Sequence, residues 1–290
     1  MPCEVIVIDD ASTDGTADYL QSLGSSVRVI HNSSKKSFSQ NNNQAAREAL
    51  GEFLCLLNDD TVVTEGWLEK MLAIQNQDSH VGLVGNRHLD SKTGQIRHAG
   101  MVFNTHGRPL PLYTKQPANF WPALINQEFQ ILKATCWLVR KRLFLELDGF
   151  DTDFEDGYED TDFCLRVRQR GYNCFYAAES VIYHAMGPVP HTLNQEARDW
   201  ELFRCKWGVS IMPDIESFYM APEPDPGIAP QNEKVKICED VNANKKFSHI
   251  EERYKHVEAL HDTHPLIASV LRTIIRFATS TAKLLNRSTR

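Results

Sequence analysis

Phe53-Leu54-Cys55-Leu56-Leu57 is an unbroken apolar run that stops on Asn58-Asp59-Asp60. A run this short, with no polar residue inside it, suits a strand buried on both faces. Such strands belong to sheets covered by helices, and ligands of open α/β sheets collect at the carboxyl ends of the strands. The amide and two carboxylates therefore stand where a hard cation carrying a phosphate ligand would be held. A polar turn that merely ends a core strand explains the same three letters.

A second run of this kind lies near the start. Glu4-Val5-Ile6-Val7-Ile8 ends in Asp9-Asp10, and Ala11 to Gly15 then lead into a helix expected to reach Leu23 and stop at Gly24. Ser12, Thr13 or Asp14 is the candidate N-cap. Val27 to Ile30 reads as a strand, His31 to Asn43 as a polar loop, and Gln44 to Leu50 as a helix closed by Gly51. After the Phe53 to Leu57 strand, Glu65 to Gln75 reads as a helix and Val81 to Val84 as a strand. This alternation predicts βαβ units and a mainly parallel sheet flanked by helices. Both acidic strand ends then fall along one edge.

Composition narrows the function. A net charge of −7 excludes a general nucleic-acid binder, which carries a basic surface. Seven cysteines without a C-x-x-C pair read as free thiols of a reducing compartment, with neither a disulfide framework nor a zinc site. No apolar stretch reaches the roughly 18 residues that span a bilayer, and no signal peptide precedes the first strand. The expected location is cytoplasmic.

Further along, Gly94-Gln95-Ile96-Arg97-His98-Ala99-Gly100 brings Arg97 and His98, either of which would add positive charge near a diphosphate. A surface hairpin around Gly94 accounts for the segment equally well. Pro109, Pro111, Pro117 and Pro122, with Tyr113, Phe120 and Trp121, form a proline-punctuated aromatic loop, either a binding loop or satellite core. Phe129 to Val139 reads as a strand and Lys141 to Leu147 as a helix. Glu159-Asp160 opens a helix from Thr161 to Arg170, where acidic residues suit the dipole and a carboxylate can act as general base. A strand Val181 to Tyr183 ends at His184. The domain reading is residues 1–215 as the catalytic domain, 216–247 as a proline-rich linker or wrap-around tail, and 248–290 as a helical segment. Its last helix carries Leu266, Ile267, Val270, Leu271 and Ile274 on one stripe with basic residues beside it, which suits peripheral membrane contact or docking on the catalytic domain.

Three segments together resemble the inverting family 2 glycosyltransferases of the GT-A fold. They are Val5 to Thr16 (VIVIDDASTDGT), Asn43 to Asp60 (NQAAREALGEFLCLLNDD) and Glu159 to Arg166 (EDTDFCLR), and the likeness runs from about residue 3 to residue 187. The resemblance implies a Rossmann-like sheet with a C-terminal helical tail, and a nucleotide-diphosphate sugar donor (UDP-, dTDP- or GDP-linked). It implies Mn²⁺ or Mg²⁺ on Asp60, completed by His184, with Asp9, Asp10, Ser12, Asn43, Asn58 and Asp59 around the nucleotide sugar. Asp160 is implied as base, Glu159 as its acceptor-binding neighbour and Asp162 as a structural cap. The implied acceptor is a polysaccharide or lipid-linked glycan, which fits a place at the inner face of the membrane. Asn58 departs from the aspartate of many relatives, and Asp148-Gly149 from their double glycine. Relatives also carry a strand and helix before the Val5 strand, whereas four residues precede Val5 here. The resemblance thus implies an N-terminally truncated sheet, or another segment in that position. A non-catalytic binding module and a nucleotidyltransferase on a similar sheet remain as alternatives, the latter without its usual Gly-rich phosphate loop.

Overall fold

The computed structural model describes residues 3–155, 157–185 and 193–219, together with the strand at 274–278. The strands are β1 (Cys3–Asp9), β2 (Arg28–His31), β3 (Phe53–Leu57), β4 (Thr61–Val63), β5 (Val81–Asp90), β6 (Ile96–His98), β7 (Met101–Phe103), β8 (Pro109–Pro111), β9 (Gln127–Phe129), β10 (Cys136–Arg140), β11 (Asn173–His184) and β12 (Ile274–Ala278). The helices are α1 (Thr16–Ser22), α2 (Phe38–Glu48), α3 (Trp67–Gln75), α4 (Lys141–Glu146), α5 (Glu159–Gln169), α6 (Leu193–Trp207) and α7 (Ile215–Tyr219).

One sheet carries the order β2-β1-β12-β3-β10-β5-β11-β4, with β6 beside β5 and β9 beside β11. Strands β1, β2, β3, β5 and β11 run in one direction, so their carboxyl ends share an edge. The sheet is nonetheless mixed: β10 and β12 lie antiparallel between members of that set. All five residues of β3 are buried, and they alternate between two cores as strand geometry requires. Leu54 and Leu56 join Ile6, Ile8, Trp137 and Phe163 on the α2, α4 and α5 side. Phe53, Cys55 and Leu57 meet Trp67, Met71 and Leu138 under α3. Helices therefore cover both faces of the sheet, as the apolar run demands.

Several boundaries move for local reasons. Helix α2 begins at Phe38 rather than Gln44, because Ser37 and Gln40 form a reciprocal capping box at its start. Helix α1 begins at Thr16, where Asp14 accepts the Thr16 N–H, and Ser12 instead binds Asp9. The expected strand from Phe129 to Val139 splits into β9 and β10, and the irregular residues between them lead into β10 at the carboxyl end of β3. The strand before His184 starts at Asn173 and is interrupted between Ala177 and Val181. In the proline loop, Tyr113 and Phe120 pack edge to face at 5.1 Å, so these aromatics are satellite core. Phe218 stacks on Phe129 at 4.9 Å, which carries the domain past residue 215.

The helical expectation for the C-terminal segment fails at residues 274–278. These form β12, hydrogen-bonded along both edges, to β1 and to β3. Ile274 and Ile275 favour strands, and the slot between two buried strands supplies partners for otherwise orphaned backbone groups. That slot is where the resemblance implies another segment, and its occupation removes these residues from a helix on a membrane. The remainder of the linker and tail, 220–273 and 279–290, lies outside the described residues.

Asn43, expected at the nucleotide sugar, is used inside the fold. Its Nδ2 donates to the Phe150 carbonyl at 2.8 Å, and its Oδ1 accepts the Phe150 N–H at 2.8 Å. Gly149 has φ +68°, and a Cβ there would collide with Asn43 Oδ1. The clamp thus fixes the turn before α5 against α2. Replacing Asn43 by Ala is expected to lower stability by about 2–4 kcal/mol, since two buried backbone groups lose their partner. Urea denaturation checks this, and a loss within error would contradict the clamp.

Candidate active site

Three strand ends and one helix start deliver the polar groups. β1 ends on Asp9, which is 4% exposed. Its Oδ1 accepts the Ser12 N–H and hydroxyl, and its Oδ2 lies 2.9 Å from His31 Nδ1. Burial alone would raise this carboxyl, but the bonds from Ser12 and His31 outweigh it and hold the carboxyl below its usual value. Asp10 accepts Asn32 Nδ2 at 2.8 Å and the Lys36 N–H at 3.0 Å, tying the 32–36 segment against β1. These carboxylates therefore build a rigid ledge at one end of the edge.

The loop after β3 is pinned at its base, where the Asn58 N–H donates to the Thr135 carbonyl at 2.9 Å. Asn58 and Asp59 are half-buried. Because β4 pairs with the end of β11, Thr61 lies opposite His184. That register brings Asp60 Oδ2 to 3.0 Å from His184 Nε2, while the buried Asp60 Oδ1 has no hydrogen-bond partner. A carboxylate oxygen and an imidazole nitrogen, with one carboxylate oxygen unused, are donors whose chemistry suits a divalent cation. Among the described residues no three His, Cys, Asp or Glu side chains converge on such a site. The donor set fits a cation that also needs ligands from a substrate.

Asp160, 3% exposed, sits in the first turn of α5. Its Oδ1 accepts the Thr161 N–H at 2.7 Å, and its Oδ2 accepts the Ala134 N–H at 3.2 Å and faces Lys133 Nζ at 3.2 Å. Glu159 is buried beside it. Asp162 does not cap the helix. It accepts Arg166 Nε at 2.7 Å and Trp207 Nε1 at 2.8 Å, locking α5 to α6.

Two cavities meet at Lys133 and Met101. The smaller, about 210 Å³, is lined by Asp160, Tyr158, Thr161 and Glu196. The larger, about 530 Å³, is lined by His184, Thr135, His98, Arg97 and Asp90. Of the expected residues, Asp160, His184, Arg97 and His98 border these spaces, whereas Asp9, Asp10, Ser12, Asn43, Asn58, Asp59, Asp60 and Glu159 line neither. Lys133 escaped the sequence reading, although it is the one charge within the apolar stretch from Phe129 to Val139.

Arg97 and His98 do not bring the expected free charge. Arg97 pairs with Asp90 at 2.5 Å across the β5–β6 hairpin. His98 is buried against His88, ring centroids 3.9 Å apart, and neither of its nitrogens has a hydrogen-bond partner. Burial pushes the His98 imidazole down to about 3 and His88 well below its ordinary value. Behind them, His88 Nε2 bonds Asn86 Oδ1 at 2.8 Å, Asn86 donates to Ser180 Oγ at 3.2 Å, and Ser180 donates to the Trp67 carbonyl at 2.8 Å. That relay holds His88 as a neutral tautomer.

A histidine kept neutral by the fold binds its proton in the unfolded chain first. Between the unfolded value of about 6.5 and the folded value of about 3, stability therefore rises with pH. The His98 contribution is complete above that window. Replacing His98 by Phe is expected to flatten the acid limb of stability against pH by up to about 1.4 kcal/mol per pH unit. Urea denaturation from pH 4 to 7 checks this, and an unchanged slope would contradict the buried neutral imidazole.

The comparisons agree with this architecture. The glycosyl transferase family 2 model matches residues 1–147. The O-antigen biosynthesis protein RfbC of Myxococcus xanthus is 30% identical over 149 residues, 49% of this chain and 12% of the relative. The glycosyltransferase GlyG of Streptococcus pneumoniae is 26% identical over 150 residues, 50% of this chain and 49% of the relative. The chain thus spans less than half the length of these curated relatives. Among solved structures, the mannosyltransferase PcManGT of Pyrobaculum calidifontis, in complex with GDP-Man and Mn²⁺, superposes with a TM-score of 0.51 at 18% identity, covering 72% of this chain and 56% of that one. GalNAc-T7 with UDP, GalNAc and Mn²⁺ gives 0.52 at 15% identity, covering 63% and 38%. At these identities the likeness establishes the GT-A fold. With strand ends, acidic loops and family model in agreement, the chain belongs to glycosyl transferase family 2.

Proposed function

We propose that this chain transfers a sugar from a nucleotide-diphosphate donor to a hydroxyl of a polysaccharide or glycolipid acceptor, by a single inverting displacement. The observation that carries the reading is the separation of charges along one edge. His184, 3.0 Å from Asp60, borders the larger cavity, and Asp160 borders the smaller one next to it. Leaving group and nucleophile need such distinct places, held in line. The donors bound in PcManGT and GalNAc-T7, and the O-antigen role in the name of RfbC, support the choice of substrate classes.

Asp60 and His184 would hold Mn²⁺ or Mg²⁺, which supplies positive charge to a leaving diphosphate when bound. Asp9 and Asp10 form the ledge at the nucleotide end, with Ser12 fixing the Asp9 rotamer and with Asn58 and Asp59 beside the donor. Asp160 takes the proton from the acceptor hydroxyl as that oxygen attacks the anomeric carbon, and Glu159 borders the acceptor. Backbone N–H bonds from Thr161 and Ala134 fix the Asp160 carboxylate, so it is oriented before substrate arrives.

The test is transfer and hydrolysis over a panel of UDP-, GDP- and dTDP-sugars, with the anomeric configuration of the product read by NMR. Asp160→Asn keeps the shape and removes the base. It is expected to lower kcat by roughly 10²- to 10⁴-fold, with a lowered melting temperature because the amide NH2 cannot accept one of the two backbone N–H groups. Full turnover in that variant would remove Asp160 from the base role, and a retained anomeric configuration would exclude single displacement.

A further inference from the structure

We infer that the ring of Tyr158 is a platform for one pyranose of the acceptor, which makes the smaller cavity a saccharide subsite with Asp160 in its wall. The inference rests on the function proposed above and deepens it, assigning a sugar, and a residue that reads it, to the acceptor side.

Tyr158 precedes the first turn of α5 with φ +67° and ψ −10°, a left-handed conformation that is uncommon for a bulky residue. Starting the helix does not need this ring. The Tyr158 carbonyl accepts the Asp162 N–H at 2.8 Å, its side chain makes no capping bond, and glycine adopts the same φ at no steric cost. Strain of this kind persists where the surroundings over-determine it. Here α6 supplies the grip. Phe203 and Trp200 hold the Tyr158 ring at centroid distances of 5.2 and 5.8 Å, tilted by 30° and 40°. Arg108 in turn lies over the Trp200 ring at 4.5 Å and pairs with Glu196 at 3.7 Å. The phenol is thus half-buried and braced, yet it still borders the cavity that holds Asp160.

The lining suits a sugar. Tyr158, Met101 and Pro109 give apolar surface, and Asp160, Lys133 and Glu196 give polar groups. A pyranose has matching halves, a patch of C–H groups on its face and hydroxyls around its rim. Covering that patch with an aromatic ring removes apolar surface from water while the hydroxyls keep polar partners. Size points the same way. A volume of about 210 Å³ falls below the roughly 300–1,000 Å³ of a drug-sized ligand site, and suits a single ring. The larger cavity, which His184 borders, has no Phe, Tyr or Trp in its lining and carries Asp90, Arg97, Lys115 and Lys133. A flat apolar ring therefore stands on the side of the proposed base and not on the side of the Asp60–His184 pair. A sugar lying on Tyr158 has its rim among walls that include Asp160, as a base that must reach a hydroxyl requires.

Transfer to the methyl α- and β-glycosides of glucose, galactose, mannose, rhamnose and N-acetylglucosamine tests the subsite, with hydrolysis of the same UDP-, GDP- or dTDP-sugar measured alongside. The full chain is compared with Tyr158→Phe, Tyr158→Leu and Tyr158→Gly. The first keeps the flat ring, the second keeps apolar bulk only, and the third removes the ring without backbone strain at φ +67°. The last two variants are expected to raise the acceptor KM about 3- to 10-fold and to lower the ratio of transfer to hydrolysis. Tyr158→Phe is expected to hold both. If transfer and hydrolysis fall in equal proportion in the last two, the ring only supports α5 and its carboxylate, and the inference is overturned. An unchanged acceptor KM in both overturns it as well. If the full chain hydrolyses a donor but uses none of the glycosides, the cavity does not take a single sugar, and the inference falls while the donor reading stands. If it acts on no nucleotide sugar at all, the proposed function falls and takes the inference with it.

Discussion

Everything at the functional edge depends on β3 being hydrogen-bonded along both sides. Its five buried residues feed two cores at once, so the strand cannot slide or rotate without exposing one set. Neighbours β10 and β12 take up its backbone groups. The polar turn that follows is consequently delivered to a fixed point. From there the pairing of β4 with β11 sets a single register, and that register is what puts Asp60 against His184.

The same economy governs the proposed base. Asp160 is buried at the start of a short helix, which is a costly place for a carboxylate. The surrounding structure offsets it with two backbone N–H groups and a lysine. Behind Asp160, Asp162 gathers Arg166, Trp207 and Lys206 into a polar lock between α5 and α6. The two aspartates are two positions apart in sequence, and opposite environments give them opposite tasks. One borders a cavity; the other is sealed inside a network that only the fold uses.

The parts of this arrangement that were legible in the sequence are those encoded locally. Apolar runs ending in Asp9-Asp10 and Asn58-Asp59-Asp60 declare buried strands and a common edge, and Glu159-Asp160 before a helical pattern declares an acidic helix start, which the structure puts beside a cavity. What the sequence concealed depends on partners distant in the chain. Asn43 resembled a ligand residue until its amide met Phe150, 107 positions away. His98 resembled a cation until burial against His88 made it neutral. The run around Ile274 has helical spacing, yet the vacancy between β1 and β3 offers its backbone two sets of hydrogen bonds, and local periodicity yields to that. Lys133 was overlooked because a single lysine in an apolar stretch carries no pattern. Its meaning comes only from the two cavities it divides.

The central claim is that Asp60 and His184 form the protein's half of a cation site that a nucleotide sugar completes. The most direct measurement is thermal stability with nucleotide sugar in the presence and absence of Mn²⁺, for the chain and for Asp60→Asn. A ligand that binds only the folded state raises the melting temperature in proportion to its occupancy. The account predicts a rise that needs metal and sugar nucleotide together and is lost in Asp60→Asn. A rise of equal size without metal, or one that survives in the variant, would contradict it.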